Sequence, residues 1–272
     1  MLKSIIVNYR ICVKILFSFF ILFAIGSSAG ANILVLNGLT HENASNQGET
    51  YRDRIEIQNN GTDKKSVRIY LRDYWFSYTG ESTHDSPGTL ERSNAAWINY
   101  SPQLITLEAN EKVFIDFEVN VPQDDSLKGT YWSVIMVEGI TTPDTTPSTG
   151  GVKINTAIRY AIQVITTIGD TGKKDLQFLG LELVKDNDVG VLNVAVENIG
   201  ECILKPEMSL EVFDASGNSL GIFKADRRKT FPGTSIKSSL VLEGIKPGNY
   251  TGILVADCDE DHIYGTNISL EI

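Results

Sequence analysis

Cysteine, histidine and positive charge are all scarce in this 272-residue chain, which has 3 Cys, 3 His and 24 Lys+Arg against 34 Asp+Glu. So few cysteines exclude a small scaffold stapled by disulfides. His41, His84 and His262 stand at no metal-ligand spacing from one another or from a cysteine pair, so a zinc site has no support. The shortage of basic residues removes the electrostatic means of gripping DNA or RNA backbones, and no nucleic-acid partner is expected. Long apolar runs are missing too: beyond residue 31 nothing approaches 18 consecutive apolar residues, about the least a spanning helix needs. No G-x-S-x-G, phosphate-binding loop or dinucleotide fingerprint occurs. No cofactor and no enzymatic activity are therefore expected, and no carboxylate pair for glycoside hydrolysis can be singled out from the 34 acids. Apolar material is not lacking. At 42% hydrophobic the chain can bury real cores and is no disordered acidic tail.

The first 31 residues read separately. They carry Lys3, Arg10 and Lys14 and no acid; an apolar run over residues 15–25, broken by Ser18, follows, and then Ser27, Ser28 and Ala29-Gly30-Ala31. This is the layout of a secretory signal peptide, with an 11-residue run too short to span a bilayer comfortably; an uncleaved N-terminal anchor is the alternative. Cleavage after Ala31 would leave 241 residues with 21 bases and 34 acids, a net charge of −13. The expected product is exported, periplasmic or extracellular, with no stable membrane span and no cysteine placed for lipid attachment.

From residue 33 onward the pattern is that of strands. Residues 33–36, 54–58, 66–71, 104–107, 111–121, 131–137 and 152–168 are short alternating or apolar runs between turn residues. In the segment 111–121, Val113, Ile115, Phe117 and Val119 share one face. The run 131–137 is almost wholly apolar, as expected of a central strand covered on both sides. The longest regular segment, 152–168, places Val152, Ile154, Ile158, Tyr160, Ile162 and Val164 on one side and Lys153, Asn155, Arg159 and Gln163 on the other. After a polar break at Gly169-Asp170-Thr171-Gly172 the rhythm restarts at 176–184, 191–196, 208–213, 220–223, 235–242, 251–255 and 263–270. Seven strands per half predict an all-β chain of two tandem immunoglobulin-like β-sandwich domains, residues 32–172 and 173–272, after the signal at 1–31.

Local chemistry in the second half agrees. Pro247-Gly248-Asn249-Tyr250, just ahead of a strand, predicts a tyrosine corner in which the phenol bonds backbone across the turn. Cys202 follows the second strand and Cys258 the sixth, so both finish at one end, and a disulfide there would close a 57-residue loop. Such a bond would stabilise by roughly 4 kcal/mol in the chain-entropy view; two separate buried thiols are the alternative. Asp257, Asp259, Glu260 and Asp261 beside His262 lack the spacing of a calcium loop and read as a hydrated turn. The aromatics Tyr74, Trp75, Phe76, Trp97, Tyr131 and Trp132 suit core and edge packing better than a sugar-stacking surface. The stretch 141–151, rich in Thr, Pro and Gly, reads as a loop that is either inert or adapted to a partner.

Residues 51–168 resemble the N-terminal domain of the PapD-like periplasmic chaperones that assemble pili. The similar segments are 51–58 with Asn59-Asn60; Ser101-Pro102, Leu104-Ile105 and Ala109-Asn110-Glu111-Lys112; Val121-Pro122-Gln123-Asp124 with Gly129-Thr130-Tyr131-Trp132; and Thr156-Ala157-Ile158-Arg159-Tyr160. The resemblance implies a non-enzymatic protein-binding module that donates the strand 152–168 to a secreted or surface protein subunit. Alternating Ile154, Ile158, Tyr160, Ile162 and Val164 would then meet the partner, and Arg159 would grip a carboxylate. The chain departs from the family where Leu39-Thr40-His41-Glu42 offers no first-strand arginine. The strand order also resembles cell-surface proteins with a peptidoglycan-binding immunoglobulin-like domain that partner WxL proteins, which implies instead an adhesive or structural wall-binding role. If the segment 152–168 serves only its own domain, its apolar residues face that domain's core.

Overall fold

The computed structural model describes residues 33–140, 158–187 and 189–272, and every element in it but one short turn is a strand. The expected signal at 1–31, the loop 141–151 and residues 152–157, Ile154 among them, lie outside the described residues.

The first ten strands are β1 (Ile33–Val35), β2 (Thr40–Ser45), β3 (Thr50–Asn59), β4 (Lys65–Phe76), β5 (Ser82–Asp85), β6 (Ile98–Ser101), β7 (Leu104–Leu107), β8 (Lys112–Asn120), β9 (Gly129–Ile140) and β10 (Arg159–Ile168). They form two sheets. One has the order β1-β3-β8-β6; the other runs β2-β10-β9-β4, with β5 and β7 sharing the far side of β4. Alternating Ile55, Ile57, Val67, Ile69, Ile115, Phe117, Val119, Ile135, Val137, Ile162 and Val164 fill the space between them. Period-two patterning thus becomes a sandwich core, because successive strand side chains point to opposite faces.

The remaining strands are β11 (Leu176–Asp186), β12 (Val189–Asn198), β13 (Glu207–Phe213), β14 (Ser219–Ala225), β15 (Ser235–Leu242), β16 (Asn249–Asp259) and β17 (His262–Glu271). A three-stranded sheet, β11-β12-β15, faces a four-stranded one, β14-β13-β16-β17, over a second core that includes Leu192, Val194, Met208, Leu210, Leu240 and Leu254. The Tyr250 hydroxyl donates to the Lys246 carbonyl at 2.8 Å, closing the tyrosine corner.

Three strands escape the hydrophobic pattern. In β2, Thr-His-Glu-Asn-Ala-Ser, the side chains turned inward are His41 and Ser45, so polar residues hold the buried positions. β5 is an exposed hairpin arm, and β6 spans only four residues with Ile98 its buried one. β3 also begins four residues before the expected run, in the polar stretch Thr50-Tyr51-Arg52-Asp53.

The two sandwiches meet through a small aromatic cluster. Trp132 and Phe231 stack at 4.7 Å between centroids, with Ile165 beside them and Phe76 edge-on to Phe231 at 6.0 Å. Hydrogen bonds join the two there as well: the Thr130 backbone N–H donates to Glu201 O at 2.8 Å, and the Trp75 indole N–H to Gly233 O at 2.8 Å. At Gly129, with φ +69°, a Cβ would lie 2.2 Å from Glu201 O, so only glycine permits this approach. The run 131–137 is covered on both faces for the same reason, since Trp132 faces Phe231 while Ile135 and Val137 enter the first core.

Candidate functional site

β10 is paired unequally along its two edges. On one side it joins β9 antiparallel over its whole length, Arg159 opposite Glu138 through Ile168 opposite Gly129. On the other it meets β2, parallel, only from Gln163 to Ile168. The Gln163 N–H, donating to Leu39 O at 2.9 Å, is the last backbone bond on that side. Because N–H groups alternate between the two edges of a strand, those of Arg159 and Ala161 point the same way as that of Gln163. Among the described residues they have no neighbouring strand. Unpaired backbone of this kind is a template for another chain.

Apolar residues flank this opening. Ile158 is 39% exposed and Leu39 48%, and Leu36 at the crossover from β1 to β2 is exposed as well. Gly38 sits between the two leucines at φ +93°, the left-handed conformation that carries the chain from one sheet to the other.

Of the residues expected to meet a partner, Ile158 and Arg159 stand at the opening. Ile162 and Val164 do not: both are fully buried in the first core. The Tyr160 ring packs against the same core, and its hydroxyl donates to Ile33 O at 2.7 Å. The expectation that these three side chains meet a partner is therefore corrected, for a residue that fills its own core has no face left to offer. What this half of β10 offers is backbone and its outer face.

Arg159 is exposed but not a free cation. Its Nε donates to Glu138 Oε1 at 2.7 Å, and the Tyr70 hydroxyl donates to the other oxygen at 3.0 Å. Burial pushes the Glu138 carboxyl up, but the bonds from Arg159 and Tyr70 outweigh it and hold the group below its ordinary range. Glu138, directly across from Arg159, is the contact that sequence reasoning missed. Its signal was a lone acid at the end of the apolar run 131–137.

β2 closes the other half of the edge and is itself anchored at several points. The His41 ring packs edge-on against Phe117, and its Nδ1 lies 2.6 Å from Asp53 Oδ2. Glu42 reaches the second sandwich, where Lys205 and Lys229 hold its two oxygens. Burial raises the Glu42 pKa, and the two lysines more than offset it, so the carboxyl sits below its usual range. Thr40 Oγ1 adds a bond to Gln163 Oε1 at 3.3 Å.

Cys202 and Cys258 are both buried free thiols in this structure, so the expected disulfide is not shown. They do lie at one end, where Lys174 acts on both. The Cys202 Sγ turns away to donate to Thr171 O at 3.2 Å, while Cys258 joins the second core. Burial raises both thiols, Cys258 to about 11 with Asp259 and Asp257 adding to it. The acids around His262 form a local ion network in which Asp259 takes Lys174 and His262 at 2.7 Å each.

No protein-family model matches the chain, and no curated protein does. Solved structures do. The class 5 fimbriae chaperone CfaA is similar at 11% identity and a TM-score of 0.48, covering 87% of this chain and 98% of that one. The chaperone–tip adhesin complex of CFA/I fimbriae gives 13% and 0.47 over 88% and 98%. The CsuC–CsuE chaperone–tip adhesion subunit complex of Acinetobacter baumannii gives 15% and 0.42 over 88% and 98%. Among solved structures, those the chain resembles in fold are overwhelmingly PapD-like fimbrial chaperones.

Proposed function

We propose that this chain is an exported, non-enzymatic protein-binding module, chaperone-like in action, that pairs an extended segment of a secreted or surface subunit with the open edge of β10. The observation that supports this most directly is the outer edge of β10 from Arg159 to Ile162, which among the described residues has no strand beside it, whereas the second half of that edge is covered by β2. A partner strand laid there would bond to the backbone of Arg159 and Ala161 and cover the exposed Ile158 and Leu39. On the outer face, Arg68, Glu138 and Arg159 already stand in one cross-strand row of alternating charge. A partner carboxylate beside Arg159 would extend that row with the favourable sign.

Replacing Ala161 by proline removes one outward N–H and leaves the bonds to β9 in place, as proline is tolerated on an edge. Wild-type protein used as bait in the exported fraction of its source cells is expected to retain a small subunit that the Ala161→Pro variant, unchanged in circular dichroism, does not. Retention of the same proteins by both would contradict the proposal.

A further inference from the structure

We propose that the groove across the outer face of β4, β9 and β10 is a binding site for an acidic glycan, whose carboxylates are taken by Arg68 and Arg72. The groove encloses about 1030 Å³ and is lined by Arg68, Arg72, Tyr100, His84, Met136 and Ala161, among others. That is the upper end of the ~300–1,000 Å³ of small-ligand sites. Arg68, Tyr70 and Arg72 alternate along β4 on the face opposite the core residues Val67 and Ile69. Four residues of strand separate the backbone positions of Arg68 and Arg72 by about 13 Å at roughly 3.3 Å per residue.

Three features select the ligand. The one carboxylate in the groove, Glu138, is already engaged by Arg159 and the Tyr70 hydroxyl. Among the described residues neither Arg68 nor Arg72 has a carboxylate within ion-pairing distance, in a chain that carries an excess of ten acids. Unpaired guanidinium forks favour planar, bidentate anions. Secondly, the backbone beside the two arginines is occupied. β4 pairs with β9 along Ser66–Arg72 and with β7 and β5 on its other side, so a polypeptide cannot add next to them as a strand. Recognition falls to side chains. Thirdly, the positive charges are spread along the groove instead of converging on a point. That suits an oligomer with a carboxylate on successive rings better than a lone phosphate. Tyr100 and Pro87 supply apolar surface for the ring faces. Arg72 is steadied over the Tyr70 ring at 5.3 Å. Burial lowers the His84 pKa, which leaves a neutral ring to bond hydroxyls.

Titration calorimetry with short oligogalacturonates tests this, using their methyl esters and polyphosphate as controls. The expected result is saturable binding of the acid form, at least roughly tenfold weaker for the Arg68→Gln/Arg72→Gln variant, as loss of charge-assisted bonds requires. The methyl ester is expected not to bind. An absence of binding by folded wild-type protein would overturn the proposal, as would equal binding of the ester, equal binding of polyphosphate, or an unaffected double variant. Arg72 lies outside the β10 edge and outside the Arg68–Glu138–Arg159 row, so Arg72→Gln alone is expected to weaken binding of the acid form while capture of a protein subunit by that edge survives, which separates this proposal from the previous one.

Discussion

At Asp259 three bonds converge: Lys174 Nζ, His262 Nδ1 and the Asp261 backbone N–H. The Lys174 bond is the largest influence, and together they hold this carboxyl well below the usual range despite its partial burial. A folded-state pKa below the unfolded one, about 3.9 for Asp, contributes stability that is complete above that value and is lost as the pH falls through the folded value. Asp259→Asn is therefore expected to lower the melting temperature at pH 7, with the gap to wild type closing below about pH 4. A gap that stays constant down to pH 2 would show that the effect is not ionic. The thiols make a second residue-scale prediction. With Cys202 and Cys258 buried and their pKa values raised, the folded protein without residues 1–31, and so without Cys12, is expected to react slowly with a thiol reagent at pH 7.5, and the same protein unfolded to yield two thiols at once. A yield of none after unfolding would mean that the pair is oxidised.

Among the elements, β2 decides how much of β10 is open. Its inward side chains are His41 and Ser45, so ionic and hydrogen-bonded anchors hold it more than apolar burial does. Glu42→Gln replaces a carboxylate shared by two lysines on the other sandwich. For a half-exposed ion pair the cost is about 1 kcal/mol. The larger effect is expected at the edge, where amide exchange of Gln163 should rise as β2 loosens while that of Ile162, bonded to β9, stays slow. Equal acceleration of both would point to global destabilisation.

The same element explains what the sequence could and could not reveal. Strands with apolar alternation, such as β8 with Val113, Ile115, Phe117 and Val119, were legible because burial and pattern coincide. β2 was not, because its buried positions are polar and its partner lies more than a hundred residues away. The alternation of Ile158, Tyr160, Ile162 and Val164 was read correctly as one face. Period two cannot say whether that face looks toward the chain's own core or a partner; here Tyr160, Ile162 and Val164 look inward while Ile158 stays exposed. Arg159 was visible as an isolated base; its pairing with Glu138 depends on the β9–β10 register, which no local pattern encodes.

For the whole molecule, two sandwiches are joined by few but specific contacts, with Phe231, wholly buried, at their centre. Its ring stacks on Trp132 of β9 and touches Phe76 of β4, so it links the second sandwich to the sheet that carries the open edge. Phe231→Ala is expected to destabilise by roughly 3 kcal/mol or more, as for other large-to-small core changes. It should also resolve a single calorimetric transition into two as the sandwiches uncouple. A fully cooperative transition in the variant would assign the coupling to the hydrogen bonds of the Thr130 backbone and the Trp75 indole instead.

Pairing at the edge of β10 is tested most directly by amide hydrogen exchange of the protein alone and in complex with its captured subunit. In the free protein, Arg159 and Ala161 are expected to exchange quickly while Tyr160 and Ile162, bonded to β9, exchange slowly. In the complex, Arg159 and Ala161 should slow by about tenfold or more, as amides taken into a sheet do. Unchanged exchange at these two residues in a stable complex would place the partner elsewhere and contradict the reading of β10 as the binding strand.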